Sequence, residues 1–294
     1  MTRVQCPECG RQTPMQWGTC RCGYRMTDDP DVSLDASERG KRRLRHKFMQ
    51  IETEERLLAP RLSLAIAWGT DPSLFHFYKN YDSLLAVVPQ DGETMASKGA
   101  LFVVADGLES DHREQEERIS QRAVRELMTT YYQAQEEDPL RALERAVKQA
   151  NIAIYRANLE PLEHGRVIST CVALVVCGET VYGMNVGNDR AYLLRQGQAK
   201  QLSRDHNPGR IIYRSLGDKD NVEGDMFVES VQGSDTWVLC TDGLHHFVTD
   251  EELSVTVEHA DPRESVEHLI LLAKEHGAWD DITVMVVKLS LPEG

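Results

Sequence analysis

Val103-Val104-Ala105-Asp106-Gly107-Leu108 and Val238-Leu239-Cys240-Thr241-Asp242-Gly243-Leu244 repeat one pattern, an apolar run that ends in Asp-Gly-Leu. A third acidic edge, Asp280-Asp281, stands directly before Ile282-Thr283-Val284-Met285-Val286-Val287. Short apolar and β-branched runs of this kind read as buried strands, so each Asp falls where a strand ends. A single Asp-Gly is a common turn, and Asp91-Gly92 in Pro89-Gln90-Asp91-Gly92-Glu93 reads as one. Two copies after near-identical strands, with a third acidic strand edge, argue for several carboxylates aimed at one point. Hard oxygen ligands without adjacent His or Cys select Mg2+ or Mn2+ over zinc.

Around these edges, residues 62–68, 84–88, 101–105, 170–177, 181–186, 191–194, 236–240 and 282–289 read as strands. Three segments carry a helical period, roughly 115–133, 139–158 and 262–276. The last two open on Asp138-Pro139 and Asp261-Pro262, a capping side chain followed by Pro at the first helical position, and Gly277 ends the third. Their stripes, Leu140, Leu143, Ala146, Val147, Ala150 and Val266, Leu269, Ile270, Ala273, suit helices lying flat on a sheet. Strands joined mostly as hairpins, with helices gathered in two places, predict α+β layers rather than a βαβ repeat.

A length of 294 residues allows one large domain, or one large and one small. The 33 Lys plus Arg against 47 Asp plus Glu give a charge of −14, which disfavours phosphate-backbone and anionic-membrane partners. No run approaches the ~20 apolar residues of a membrane span, and no apolar leader follows Met1, so a cytoplasmic protein with neither nucleic-acid nor membrane partner is expected.

Four of the seven cysteines fall in the first 22 residues, as Cys6-Pro7-Glu8-Cys9-Gly10 and Cys20-Arg21-Cys22-Gly23. Paired thiols followed by Gly predict a four-thiolate structural Zn2+ site in a zinc-ribbon-like module over 1–26, with the surface to hold a protein partner. The second pair is C-x-C, a tighter turn than C-x-x-C. The alternatives are two disulfides, which a cytosolic chain disfavours, or four unrelated free thiols. Residues 27–59, with Arg39, Lys41, Arg42, Arg43, Arg45 and Lys47 between acidic blocks, read as a charged linker or helix. Cys171, Cys177 and Cys240 lie singly in apolar runs and read as core.

In order, Asn80-Tyr81-Asp82-Ser83, Ala105-Asp106-Gly107-Leu108, Asn185-Val186-Gly187-Asn188-Asp189-Arg190-Ala191-Tyr192-Leu193 leading to Ser203-Arg204-Asp205-His206, Cys240-Thr241-Asp242-Gly243-Leu244 and Asp280-Asp281-Ile282-Thr283-Val284 resemble the signature blocks of the metal-dependent type 2C protein phosphatases (PP2C). The resemblance spans about 60–290. It implies a four-layer α-β-β-α sandwich and hydrolysis of phosphoserine or phosphothreonine in a phosphorylated protein substrate, by a metal-activated water at a binuclear Mn2+ or Mg2+ centre. It further implies Asp106 as bridging ligand, Gly107 as a main-chain carbonyl ligand, Asp242 and Asp280 as carboxylates of the first metal, and Asp82 acting mostly through metal-bound water.

The chain also departs from the family pattern. Phe77 stands where the family carries a phosphate-gripping Arg, with His76 and Lys79 nearby; Tyr81 replaces a Glu; Glu109-Ser110, followed by Asp111 and His112, replace Gly-Gly; and Asn188 replaces the Asp of a third metal site. Asp205-His206-Asn207-Pro208-Gly209-Arg210 runs almost directly into Ile211-Ile212-Tyr213, without the long flap of bacterial relatives, which predicts an open cleft. These departures motivate an alternative, a pseudophosphatase or phosphoprotein-binding module with little turnover. Against it stand Asp106, Asp242 and Asp280, since a binding module has no need of converging, mutually repelling carboxylates. A third reading makes the ribbon primary and the large domain its scaffold. His245-His246 are expected at the surface or a helix start rather than at the metals.

Overall fold

The structure, a computed structural model, describes residues 3–5, 12–14, 50–59, 62–72, 80–108, 118–159, 166–207 and 212–291. In chain order the strands begin with β1 (Arg3–Gln5), β2 (Gln12–Pro14), β3 (Gln50–Ala59), β4 (Leu62–Asp71), β5 (Ser83–Val87), β6 (Ala100–Ala105), β7 (Gly107–Leu108) and β8 (Ile168–Ser169). They continue with β9 (Cys171–Cys177), β10 (Thr180–Val186), β11 (Arg190–Arg195), β12 (Gln198–Gln201), β13 (Asp225–Ser230), β14 (Ser234–Cys240) and β15 (Ile282–Ser290). The helices are α1 (Gly92–Lys98), α2 (Ile119–Gln133), α3 (Pro139–Ala157), α4 (Asp242–His245), α5 (Asp250–Glu258) and α6 (Pro262–Glu275).

Side-chain alternation along the apolar runs sets the layers. Leu101, Val103 and Ala105 of β6, with Cys171, Ala173 and Val175 of β9, face a core that includes Ala123 and Leu127 of α2 and Leu143, Ala146, Val147 and Ala150 of α3. The intervening Ala100, Phe102, Val104, Val172, Leu174 and Val176 face a second core, which they share with Trp237, Leu239, Met285 and Val287. The other faces of β14 and β15, at Val238, Cys240, Val284 and Val286, pack on Leu253 of α5 and on Val266, Leu269, Ile270 and Ala273 of α6. The result is helix, sheet, sheet, helix. One sheet has the order β13-β10-β9-β6-β5 and the other β12-β11-β14-β15-β4-β3, with every pair antiparallel.

Several local expectations need correction. Residues 50–59 are not linker or helix but the edge strand β3, paired with β4 from Gln50↔Thr70 to Ala59↔Leu62. Ile51 packs against the core beneath α6 while Glu52 and Glu55 are exposed, the pattern of an edge strand whose charges discourage further pairing. Asp91-Gly92 is no hairpin turn: Asp91 Oδ1 accepts from Thr94 N at 2.7 Å and caps α1. Helix α5 escapes a search for long periodic runs, yet Thr249-Asp250-Glu251-Glu252 carries its reciprocal capping box. Helix α2 is described from Ile119, and 109–117 lie outside the described residues.

Strands β1 and β2 pair from Arg3↔Pro14 to Gln5↔Gln12. Cys6, Cys9, Cys20 and Cys22 lie outside the described residues, as do the basic residues of 39–47. Among the described residues no helix is long and apolar enough to cross a membrane.

Phe102 is fully buried between the two sheets. Phe102→Ala should therefore cost about 3–5 kcal/mol in urea unfolding, the range for a large aromatic removed from a packed core. A loss below about 1 kcal/mol would show that the sheets collapse onto the gap.

Candidate metal centre

Antiparallel pairing brings the acidic segments to one end of each sheet. Ser83 pairs with Ala105, so Asp82 before β5 and Asp106 after β6 share an end of the first sheet. Cys240 pairs with both Val284 and Arg190, so Asp242 after β14, Asp280-Asp281 before β15 and Asp189 before β11 share an end of the second. The two ends meet. Thr241 Oγ1 donates to Asp82 Oδ2 at 2.9 Å, and Tyr81 N donates to Asp281 Oδ2 at 2.7 Å. Within the second sheet's end, the segments after β14 and before β15 approach closely enough to dictate glycine at 243, where a Cβ would come within 1.9 Å of the Asp281 carbonyl oxygen.

Electrostatics follow from this convergence. Burial first, then the charges of Asp106 and Asp281, push the Asp82 carboxyl well above its usual range. Asp106 is raised in the same way, by burial and then by Asp242, Asp280 and Asp281. Burial also raises Asp242, eased by His246, whose Nδ1 lies 3.8 Å from Oδ2, and by Asn188 Nδ2, which donates to Oδ2 at 2.9 Å. Asp82 and Asp106 therefore lie close enough for each carboxyl to feel the other, and a cation between them would relieve the repulsion.

The sequence-predicted residues Asp82, Asp106, Asp242 and Asp280 are therefore brought together, with Gly107 directly behind Asp106. Gly107 is buried, and a Cβ there would approach Tyr81 O to 2.9 Å. The neighbours Asp281 and Asp189 join the same group. Asp189 carries the signal shared by the others, an acid at a strand end. Among the described residues no three His, Cys, Asp or Glu side chains form a closed ligand set. Fit to a metal rests instead on the donor chemistry: converging carboxylates, plus buried oxygens of Asn188 and Asp189 that find no hydrogen-bond partner among the described residues.

The two histidines divide. His245 is buried, with Nε2 donating to the Asn188 carbonyl at 2.9 Å, whereas His246 is the partly exposed one beside Asp242. Arg190 takes Asp205 in a forked pair, with Nη2 to Oδ2 at 2.7 Å, and donates through Nη1 to Tyr192 OH at 2.8 Å. Cys171 and Cys240 are buried and Cys177 is partly so. Phe77, His76, Lys79, Glu109, Ser110, Asp111 and His112 lie outside the described residues, as do 208–211. Tyr213 N donates to His206 O at 2.9 Å, which ties the two sides of that last segment together.

A four-layer sandwich with acidic residues converging at the ends of its two sheets is suited to holding divalent cations. The sequence model of the protein phosphatase 2C family matches residues 88–273, and the chain belongs to that family. It is 28% identical over 172 residues to the serine/threonine phosphatase stp of Listeria monocytogenes, covering 51% of this chain and 68% of the relative. It is 29% identical over 170 residues to the serine/threonine protein phosphatase PstP of Mycobacterium tuberculosis, covering 51% of this chain and 33% of that one. The crystal structure of the PstP catalytic domain in complex with two manganese ions superposes with a TM-score of 0.66 at 28% identity, over 78% of this chain and 99% of that one.

Burial, followed by the charges of Arg190 and His246, lowers the His245 pKa from 6.5 to about 3. A depressed folded pKa means that the contribution to stability is complete above the unfolded value and is lost as pH falls toward the folded one. By about pH 5 the loss is on the order of 2 kcal/mol. His245→Gln should shrink the stability difference between about pH 7.5 and about pH 5 by that amount in denaturant titrations. An unchanged difference would mean that the imidazole protonates in place.

Proposed function

We infer that this chain is a metal-dependent protein phosphatase that hydrolyses phosphoserine and phosphothreonine. The observation that carries this reading is the convergence of Asp82, Asp106, Asp242 and Asp280 from two sheets, on a fold that superposes on a two-manganese phosphatase domain. Asp106, Asp242 and Asp280 would hold two Mn2+ or Mg2+ ions, with the Gly107 carbonyl beside them and Asp82 acting through water. When bound, such a pair supplies charge neutralisation at the phosphate and a water of lowered pKa for in-line attack.

The chain's own residues do the holding. Asn188 fixes one oxygen of Asp242, Thr241 orients Asp82, and the Tyr81 amide clasps Asp281. Burial removes competing water from Asp82, and so strengthens its attraction to any cation. A protein built only to bind phosphoproteins gains nothing from this concentration of like charge, which disfavours the pseudophosphatase alternative.

Purified protein with Mn2+ should hydrolyse p-nitrophenyl phosphate and a phosphothreonine peptide, and Asp106→Ala or Asp242→Ala should bring the rate to background. Equal inertness of wild type and Asp242→Ala, with metal still bound, would sink the enzymatic reading and favour the binding module.

We also propose that Cys6, Cys9, Cys20 and Cys22 hold one structural Zn2+ within a module over 1–26, with the phosphatase domain taking in β3 and so running from about 50, rather than from 60, to 290. Support comes from the Cys spacing, with the paired strands β1 and β2 standing before and after the first Cys pair in the sequence. Free thiols at Cys171, Cys177 and Cys240 suit a reducing cytoplasm. Elemental analysis should find about one zinc per chain, lost on Cys6→Ser with Cys9→Ser, as a single four-thiolate site requires. Wild type without zinc would end the proposal, and with it the case for a ribbon-bound protein partner.

A further inference from the structure

Asp189 directly precedes β11 and is fully buried. Its Oδ2 accepts from Thr170 Oγ1 at 2.6 Å, and Thr170 Oγ1 receives the Asp106 amide at 3.3 Å. Its Oδ1 has no hydrogen-bond partner among the described residues. Burial and the like charges of Asp106 and Asp242 work against its ionised form, and the Thr170 hydroxyl and the Asp106 amide offset part of this. Next to it, Asn188 spends its Nδ2 on Asp242 and leaves its own Oδ1 without a partner among the described residues.

A buried carboxylate with one bare oxygen and two like-charged neighbours is a costly arrangement, which a neutral side chain of similar size would avoid. The arrangement becomes favourable when positive charge sits within reach. Asp106 and Asp242 are the residues read above as cation ligands, so that charge is available where Asp189 needs it.

We propose that Asp189 is a further anionic member of the metal centre, whose unpartnered Oδ1 is matched by the cation carried on Asp106 and Asp242 and raises the affinity for it. The inference rests on the reading of those carboxylates as a metal centre. Asp189 is a positioning residue: it acts on substrate only through the cation and, by way of Thr170, through the Asp106 main chain.

Calorimetric titration of the full chain with Mn2+ tests this on wild type, Asp189→Asn and Asp189→Ser, with Asp106→Asn as reference. Asp189→Asn keeps the shape and an acceptor for Thr170, so it isolates the charge. Both Asp189 variants should bind Mn2+ about tenfold or more weakly, the usual effect of losing a group that supports metal ligands. In chelator, Asp189→Asn should melt above wild type because like-charge repulsion is relieved, while its Mn2+-induced rise in melting temperature should be smaller. Mn2+ affinity in Asp189→Asn within about twofold of wild type would overturn the proposal and leave Asp189 a packing residue. Should Asp189→Asn fold poorly, the same comparison is made on Asp189→Ser. Wild type that binds no Mn2+ would overturn the metal-centre reading and this proposal together. Binding lost in Asp106→Asn but kept in both Asp189 variants would overturn this proposal alone.

Discussion

Like-charge repulsion among carboxylates out of water is the constraint on which the site depends. Asp82, Asp106, Asp189 and Asp242 are all raised by burial, and mutual charge adds to the rise at Asp82, Asp106 and Asp189. Left alone, such a cluster pushes its own walls apart or takes up protons. Divalent cations resolve the conflict, and the chemistry of phosphate hydrolysis uses the same positive charge. The conflict is located at the ends of two sheets because that is where a buried strand can deliver a polar side chain without interrupting its own ladder.

What resists the repulsion is the sandwich. Three apolar cores, one between the sheets and one beneath each helical layer, set the strand ends in place. The ends are then cross-tied by Thr241 to Asp82 and by the Tyr81 amide to Asp281, and Gly243 lets the two loops touch. Arg190 adds a buttress one residue from Asp189: its guanidinium bonds Asp205 and Tyr192, and its charge also eases Asp242.

Much of this was legible before any coordinates. Short β-branched runs such as Leu101-Phe102-Val103-Val104-Ala105, bounded by turn residues, read as buried strands, and Asp138-Pro139 and Asp261-Pro262 mark helix starts by local chemistry alone. The misreadings also have local causes. The acidic residues of β3 look like a solvated linker because an edge strand exposes one face, and Asp91-Gly92 looks like a turn because a capping Asp and a turn Asp make the same first hydrogen bond. His245 and His246 are adjacent and identical in type, and only packing separates the buried one from the one beside Asp242.

By itself the sequence determined the strand ends, their acids, and through the ordered blocks the family, because alternation, capping and turn chemistry act over a few residues. Which acids meet was decided by tertiary structure alone. Asp82 and Thr241 are separated by 159 positions in the chain, and Tyr81 and Asp281 by 200. The pairing of β14 with β11 and β15 carries Asp189 to the same end as Asp242 and Asp280. No local pattern records such distances: they come from packing two sheets face to face, and that packing turns scattered aspartates into one site.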